Sequence, residues 1–198
     1  MSSVATKSTS AHEATDYLRS VNLEYDITEP ERISHFRPTS KSVPMIQSLV
    51  FQSSSENYLV VAPYGSGKSL LATYIGQVLE NRSGGVDALG DIGSRLEGIA
   101  PELAEALSYR LETNQLVRPS GLALVLHGHQ PNLAKALLLA ISGALSRLDL
   151  ELDIPFSDDV GSDDLPDVLR WLAEAKNEIR KVASRANIEV QRMVILWD

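Results

Sequence analysis

Four residues, Gly65, Gly67, Lys68 and Ser69, fall at a telling spacing within Ala62-Pro63-Tyr64-Gly65-Ser66-Gly67-Lys68-Ser69. Gly65 and Gly67 can adopt backbone conformations closed to other residues, so successive N–H groups can converge on one concavity. Such a concavity accepts phosphate oxygens. A helix beginning at Lys68 would add its positive amino end at the same place. The Lys68 ammonium would reach the outer phosphates, and the Ser69 hydroxyl has the chemistry to hold Mg²⁺. At the far end of the chain, Met193-Val194-Ile195-Leu196-Trp197-Asp198 is an apolar run that stops on a carboxylate, a second group suited to the same cation.

These groups need elements that bring them together. Tyr58-Leu59-Val60-Val61 reads as a strand over about 57–62, and Leu70-Leu71-Ala72-Thr73-Tyr74-Ile75 opens a helix over about 68–81 whose inner face is Leu71, Ile75, Val78 and Leu79. Strand, glycine loop, Lys-Ser and helix in that order make a P-loop, or Walker A motif. Its usual opening glycine is Ala62 here, which fits if that residue keeps a negative φ. The terminal run has the form of a Walker B strand. Buried parallel strands read as continuous apolar runs, and their carboxyl edges bind ligands in α/β sheets.

On these two motifs the chain resembles the P-loop NTPases, and within them the glutamate-using branch of AAA+ and signalling ATPases. The resemblance implies an α/β three-layer sandwich with a parallel sheet, incomplete at the C-terminus. It implies ATP and Mg²⁺ as cofactors. Pro63, Tyr64, Gly65, Ser66, Gly67, Lys68, Ser69 and Leu70 would contact nucleotide, Ser69 and Asp198 would hold the metal, and Lys68 would neutralise charge on the transferred phosphoryl group. In this branch a glutamate follows the Walker B aspartate. That glutamate, a sensor and an arginine finger would lie beyond residue 198, so the resemblance implies the N-terminal part of a longer ATPase. Such a module would drive a defence, DNA-processing or remodelling machine, with ATP as its partner and a homo-oligomer or larger complex as its setting. A nucleotide-dependent switch with little turnover, or a P-loop kinase, is the alternative. By the same resemblance, 36–40 would cover the adenine; a plain packing loop is the competing reading.

Elsewhere the pattern is that of a globular chain. Residues 1–22 are rich in Ser, Thr and Ala and read as a flexible tail, leaving 23–198 as the nucleotide-binding domain. Ser42 is placed to cap a short helix with Pro44 in its first turn and Met45, Ile46, Leu49 and Val50 inward. Residues 86–116 read as mainly helical, with Pro101 starting a helix lined by Leu103, Ala106, Leu107 and Leu111. Leu122–Leu126 reads as a second buried strand ending at His127-Gly128-His129-Gln130, and Pro131 opens the next helix. An amphipathic helix then begins at Asp163 or Asp164, with Leu165, Leu169, Leu172, Ile179, Val182 and Ala186 inward. His127 and His129 are read as a structural turn or a loop touching nucleotide or a partner.

Hydrophobic residues are 43% and charged residues 22% of the chain, values that support one packed core. With no cysteine, disulfides and thiolate zinc sites are excluded, which fits a cytoplasmic location. The apolar stretch 133–148 carries Lys135 and Arg147 and is too short to span a bilayer. Net charge is −8, so general attraction to a nucleic-acid backbone is not indicated for this segment, although the full-length protein could use nucleic acid. Much of the acidity falls in 149–167, which holds eight Asp or Glu and no Lys or Arg. That stretch reads as a solvated loop leading into a helix cap.

Overall fold

The computed structural model describes residues 21–52, 58–63, 65–80, 86–113, 120–150, 165–186, 188 and 190–198. Tyr64 and residues 1–20 of the expected N-terminal tail lie outside them, as does most of the acidic stretch; Asn22, the last residue of that tail, caps α1 by accepting the Glu24 N–H. The described chain is mixed but mostly helical. Its elements are α1 (Leu23–Asp26), a 3₁₀ turn (Pro30–His35), α2 (Val43–Ile46) running into a π-helical turn (Gln47–Phe51), and α3 (Lys68–Glu80). Then come α4 (Val86–Leu96), α5 (Pro101–Thr113), β1 (Gly121–Leu126), α6 (Leu133–Arg147), α7 (Leu165–Arg185) and β2 (Arg192–Trp197).

β1 and β2 form a two-stranded parallel sheet, with Gly121 opposite Arg192 and Leu126 opposite Trp197. Successive strand residues point to opposite faces, and the packing follows that rule. Leu122, Leu124 and Leu126 join one apolar cluster with α6 and α7, where Leu137, Ile141, Val168 and Ile179 are buried. Ala123, Val194 and Leu196 join the other, with α1 through α5. The α3 residues expected inward, Leu71, Ile75, Val78 and Leu79, are all buried in that second cluster.

Several expectations change. The segment 58–63 is not a strand. Leu59 and Val61 are 90% and 84% exposed, and among the described residues no strand lies alongside to pair with the segment's main chain. β2 is likewise only half buried: Val194 and Leu196 are covered, whereas Ile195 and Trp197 are exposed at the open edge. α6 starts two residues after Pro131, since the Asn132 side chain accepts the Lys135 N–H at 2.8 Å and is the cap. On α7 the buried face is Val168, Ala175, Ile179 and Ala183, so Leu169 and Ala186 turn outward. Ser42 does precede α2, but its hydroxyl bonds Thr39 rather than capping the helix.

The two edges of the sheet are treated differently. Asp198 N–H donates to Leu126 O (3.0 Å) and Asp198 O accepts from Gly128 N–H (2.9 Å). Residues that face a given neighbour alternate along a parallel ladder. Ala123 therefore faces away from β2, at the outer edge of β1. There its N–H donates to Glu80 Oε1 (3.2 Å) and its C=O accepts from Arg147 Nη2 (2.5 Å). Glu80 and Arg147 are themselves paired, at 2.6 and 2.9 Å. An ion pair thus occupies the place of a neighbouring strand. Met193, Ile195 and Trp197 face the other way, toward a groove.

Candidate functional site

The glycine loop takes the conformation its residue types require. Gly65 has φ +75° and Gly67 φ +87°, in the left-handed region that disfavours side chains. Ala62 keeps a negative φ; Asp149 is the one non-glycine with positive φ among the described residues. Ser66 N–H closes a turn onto Pro63 O at 3.2 Å. α3 begins at Lys68, so its free N–H groups open onto the loop.

The lysine is folded back on its own stem. Lys68 Nζ donates to Ala62 O at 2.8 Å and to Pro63 O at 3.1 Å. These carbonyls partner the ammonium in place of an anion. Ser69 Oγ donates to Asp198 Oδ2 at 3.0 Å, a contact between residues 129 positions apart. The hydroxyl and carboxylate that sequence paired for a cation are therefore neighbours. The main chain of Asp198 is fixed by one bond to Leu126 of β1 and one to Gly128 just beyond it, and Trp197 Nε1 adds a bond to Gly128 O at 2.8 Å. Pro63, Gly65 and Ser66 are exposed, and Gly67, Lys68, Ser69 and Leu70 half-buried.

α3 is the rigid part of this arrangement. Its far end is held by the Glu80–Arg147 pair. Midway, Gln77 Nε2 donates to Asp26 O and Glu29 O at 3.1 and 2.9 Å. Gly76 lies so near α1 that a Cβ there would come within 2.3 Å of Ile27 Cδ1. Sequence periodicity does not expose such contacts. A buried Glu or Gln in a helix looks like any surface residue until its partner is known.

Of the 36–40 segment, Phe36 packs inward: its ring stacks on Tyr74 with centroids 4.9 Å apart and an interplanar angle of 24°. Phe36 is 5% exposed, so the packing reading describes that ring. Arg95 Nη1 bonds Ser34 O and Phe36 O, anchoring the segment to α4. His127 directly opposes Asp198 on the sheet, with its Nε2 3.9 Å from Glu24 Oε2.

A groove of about 930 Å³ extends from Lys68, Ser69 and Asp198 along β2 to Arg192. Tyr58, Leu59 and Val60 form its other bank, and Leu71, Ala72 and Ile75 of α3 part of its floor. Lys176 and Arg180 of α7 also line it. Arg192 Nη1 bonds Leu49 O and Gln52 O, and burial lowers its pKa from the ordinary value.

The arrangement offers main-chain donors, one ammonium, and a hydroxyl–carboxylate pair at the end of an open groove. That set can bind a polyphosphate with its divalent cation; Asp198 is the one carboxylate lining the groove among the described residues. In comparisons with protein-family models, curated proteins and solved structures, nothing matches this chain.

Proposed function

We propose that this chain binds a Mg²⁺–nucleoside triphosphate, ATP by its resemblance, at residues 63–70, and that it is the P-loop part of an ATPase. The observation that carries the proposal is the Ser69–Asp198 contact at 3.0 Å beside two left-handed glycines. On binding, Lys68 exchanges the Ala62 and Pro63 carbonyls for phosphate oxygens. Ser69 and Asp198 would hold Mg²⁺, which would supply positive charge beside the outer phosphates. In hydrolysis Lys68 and the cation would offset charge developing on the transferred phosphoryl group. The finer architecture proposed is a P-loop sandwich with a parallel sheet, built around β1, β2 and the stem of the loop.

A second reading, a nucleotide-dependent switch with little turnover, has its own support. With Asp198 committed to the metal, no other carboxylate lining the groove among the described residues is available to orient a water. Titration of a fluorescent ATP analogue with Mg²⁺, paired with a phosphate-release assay, tests both readings. Lys68→Ala should weaken binding by about ten- to a hundredfold, the value of one or two charge-assisted bonds. Tight binding with no release supports the switch. No binding by the folded wild-type chain at millimolar nucleotide refutes both.

A further inference from the structure

We propose that Trp197 and Gly128 are positioning residues for Asp198. Together they clasp the end of β2 to the loop after β1, and the clasp sets which divalent cation the Ser69–Asp198 pair prefers. The inference rests on the proposed function and deepens it, from which residues hold the metal to what holds one of them in place.

The clasp is a two-point contact on one glycine. Gly128 N–H donates to Asp198 O at 2.9 Å, and Gly128 O accepts from Trp197 Nε1 at 2.8 Å. Gly128 takes φ +56°, a left-handed conformation that side chains resist, although nothing lies within 4 Å of where a Cβ would stand. The backbone, not crowding, asks for glycine here. Trp197 is opposite Leu126 in the ladder, so Gly128 is its diagonal neighbour, a span that a long aromatic side chain covers. Trp197 is also 55% exposed, so much of its apolar area stays in water. What the side chain adds at this place is the indole bond.

The loop is a firm base for it. Gln130 Nε2 donates to His127 O, and Asn132 caps α6 by accepting the Lys135 N–H at 2.8 Å. Residues 127–132, which join β1 to α6, are thus braced from within. On the other side of the pair, Ser69 lies in the first turn of α3, where the buried Thr73 hydroxyl donates to Ser69 O at 2.9 Å. Ser69 and Asp198 are therefore held from two separate directions, α3 and the loop, and meet at 3.0 Å.

Rigidity of this kind discriminates between cations. Mg²⁺ demands near-ideal octahedral ligand positions at about 2.0–2.1 Å, whereas Ca²⁺ accepts irregular ones at about 2.3–2.6 Å. A clasped carboxylate suits the more exacting ion, and a loosened one penalises Mg²⁺ more than Ca²⁺. Groups that orient a metal ligand contribute about ten- to a hundredfold in metal affinity. Water competes for bonds as exposed as these, which puts the expected effect at the lower end.

The test titrates a fluorescent ATP analogue into the full chain in Mg²⁺, in Ca²⁺ and in chelator. Trp197→Phe keeps an aromatic ring and removes the donor. It should cut the Mg²⁺ enhancement of binding by about tenfold, lower the Mg²⁺/Ca²⁺ preference, and leave affinity in chelator unchanged. Gly128→Val should act the same way through the backbone, and Gly128→Asn, which tolerates the left-handed region, should restore most of the preference. Urea unfolding of each variant runs beside the titrations. A merely structural role would shift the unfolding midpoint and leave the Mg²⁺/Ca²⁺ ratio at its wild-type value, which overturns the proposal. An equal loss in all three media, or Gly128→Asn no better than Gly128→Val, overturns it too. In each of these cases wild-type binding is still enhanced by Mg²⁺, so the positioning role falls alone. Wild-type binding without cation enhancement, or none at all, overturns the metal-nucleotide reading and the positioning role with it.

Discussion

Replacing Arg147 by methionine strips the seal from the outer sheet edge and isolates a buried charge. Glu80 is fully buried, and the Arg147 side chain is 12% exposed. In the wild type the carboxylate accepts two bonds from Arg147 and one from the Ala123 N–H. After Arg147→Met only the Ala123 donor remains. Removing one partner of a buried pair costs about 3–5 kcal/mol. The Ala123 carbonyl, also in the buried core, loses its donor as well, at about 1 kcal/mol. A loss of about 4–6 kcal/mol follows, or a fall in Tm of about 8–24 °C for a domain of this size. Glu80→Gln combined with Arg147→Met should recover about 2 kcal/mol or more, because a neutral amide can serve both Ala123 groups without a desolvated charge. Urea unfolding of the four proteins gives the cycle. A single variant within about 1 kcal/mol of wild type, or a coupling energy near zero, would show that the pair does not close the edge as described.

Gly76→Ala brings a methyl against Ile27, 2.3 Å from Cδ1 and 2.9 Å from Cγ1. It should destabilise by about 1–2 kcal/mol despite better helix propensity, with partial recovery on adding Ile27→Val, measured by thermal unfolding. Asp198→Asn keeps an acceptor for Ser69 but removes charge, so nucleotide binding without Mg²⁺ should be unchanged while the enhancement by Mg²⁺ is lost. An unaltered Mg²⁺ response in calorimetry would remove Asp198 from the proposed metal site.

Much of this arrangement is legible in the sequence, for particular physical reasons. Gly65 and Gly67 announce left-handed backbone because few other residues tolerate it, and both adopt it. The α3 inner face, β1 and β2 follow from periodicity and apolar runs. Pairing Ser69 with Asp198 required the motif context rather than either residue alone. The failures are equally specific. The run Tyr58-Leu59-Val60-Val61 has strand composition, but a strand exists only through hydrogen bonds to a neighbour, and composition says nothing about whether one is present. Leu169 fits a 3.6-residue period on α7 as well as Val168 does, and the face chosen depends on what α6 and β1 present. Glu80, Gln77 and Arg147 fasten the helix that carries the site, yet each was invisible because its partner is 24 to 67 residues away or on another element.

The rigid and loose parts of the site fall on opposite sides of one boundary. α3 is fastened at Gln77 and Glu80, and β2 at each of its ladder bonds, so Ser69 and Asp198 are set by the fold itself. In the stem of the loop, Leu59–Val61 form no main-chain hydrogen bond to a strand among the described residues, and the Lys68 ammonium bonds the Ala62 and Pro63 carbonyls, which the proposed phosphate would have to replace. In the proposed function the metal-holding pair is thus preorganised, whereas anion binding competes with an internal contact of Lys68. Any agent that orders the stem from outside, leaving Lys68 free to turn, acts on phosphate affinity without touching the metal pair. Substitutions at Ser69 or Asp198 should accordingly change the Mg²⁺ dependence of binding, and perturbations of the stem should change affinity at every Mg²⁺ concentration alike.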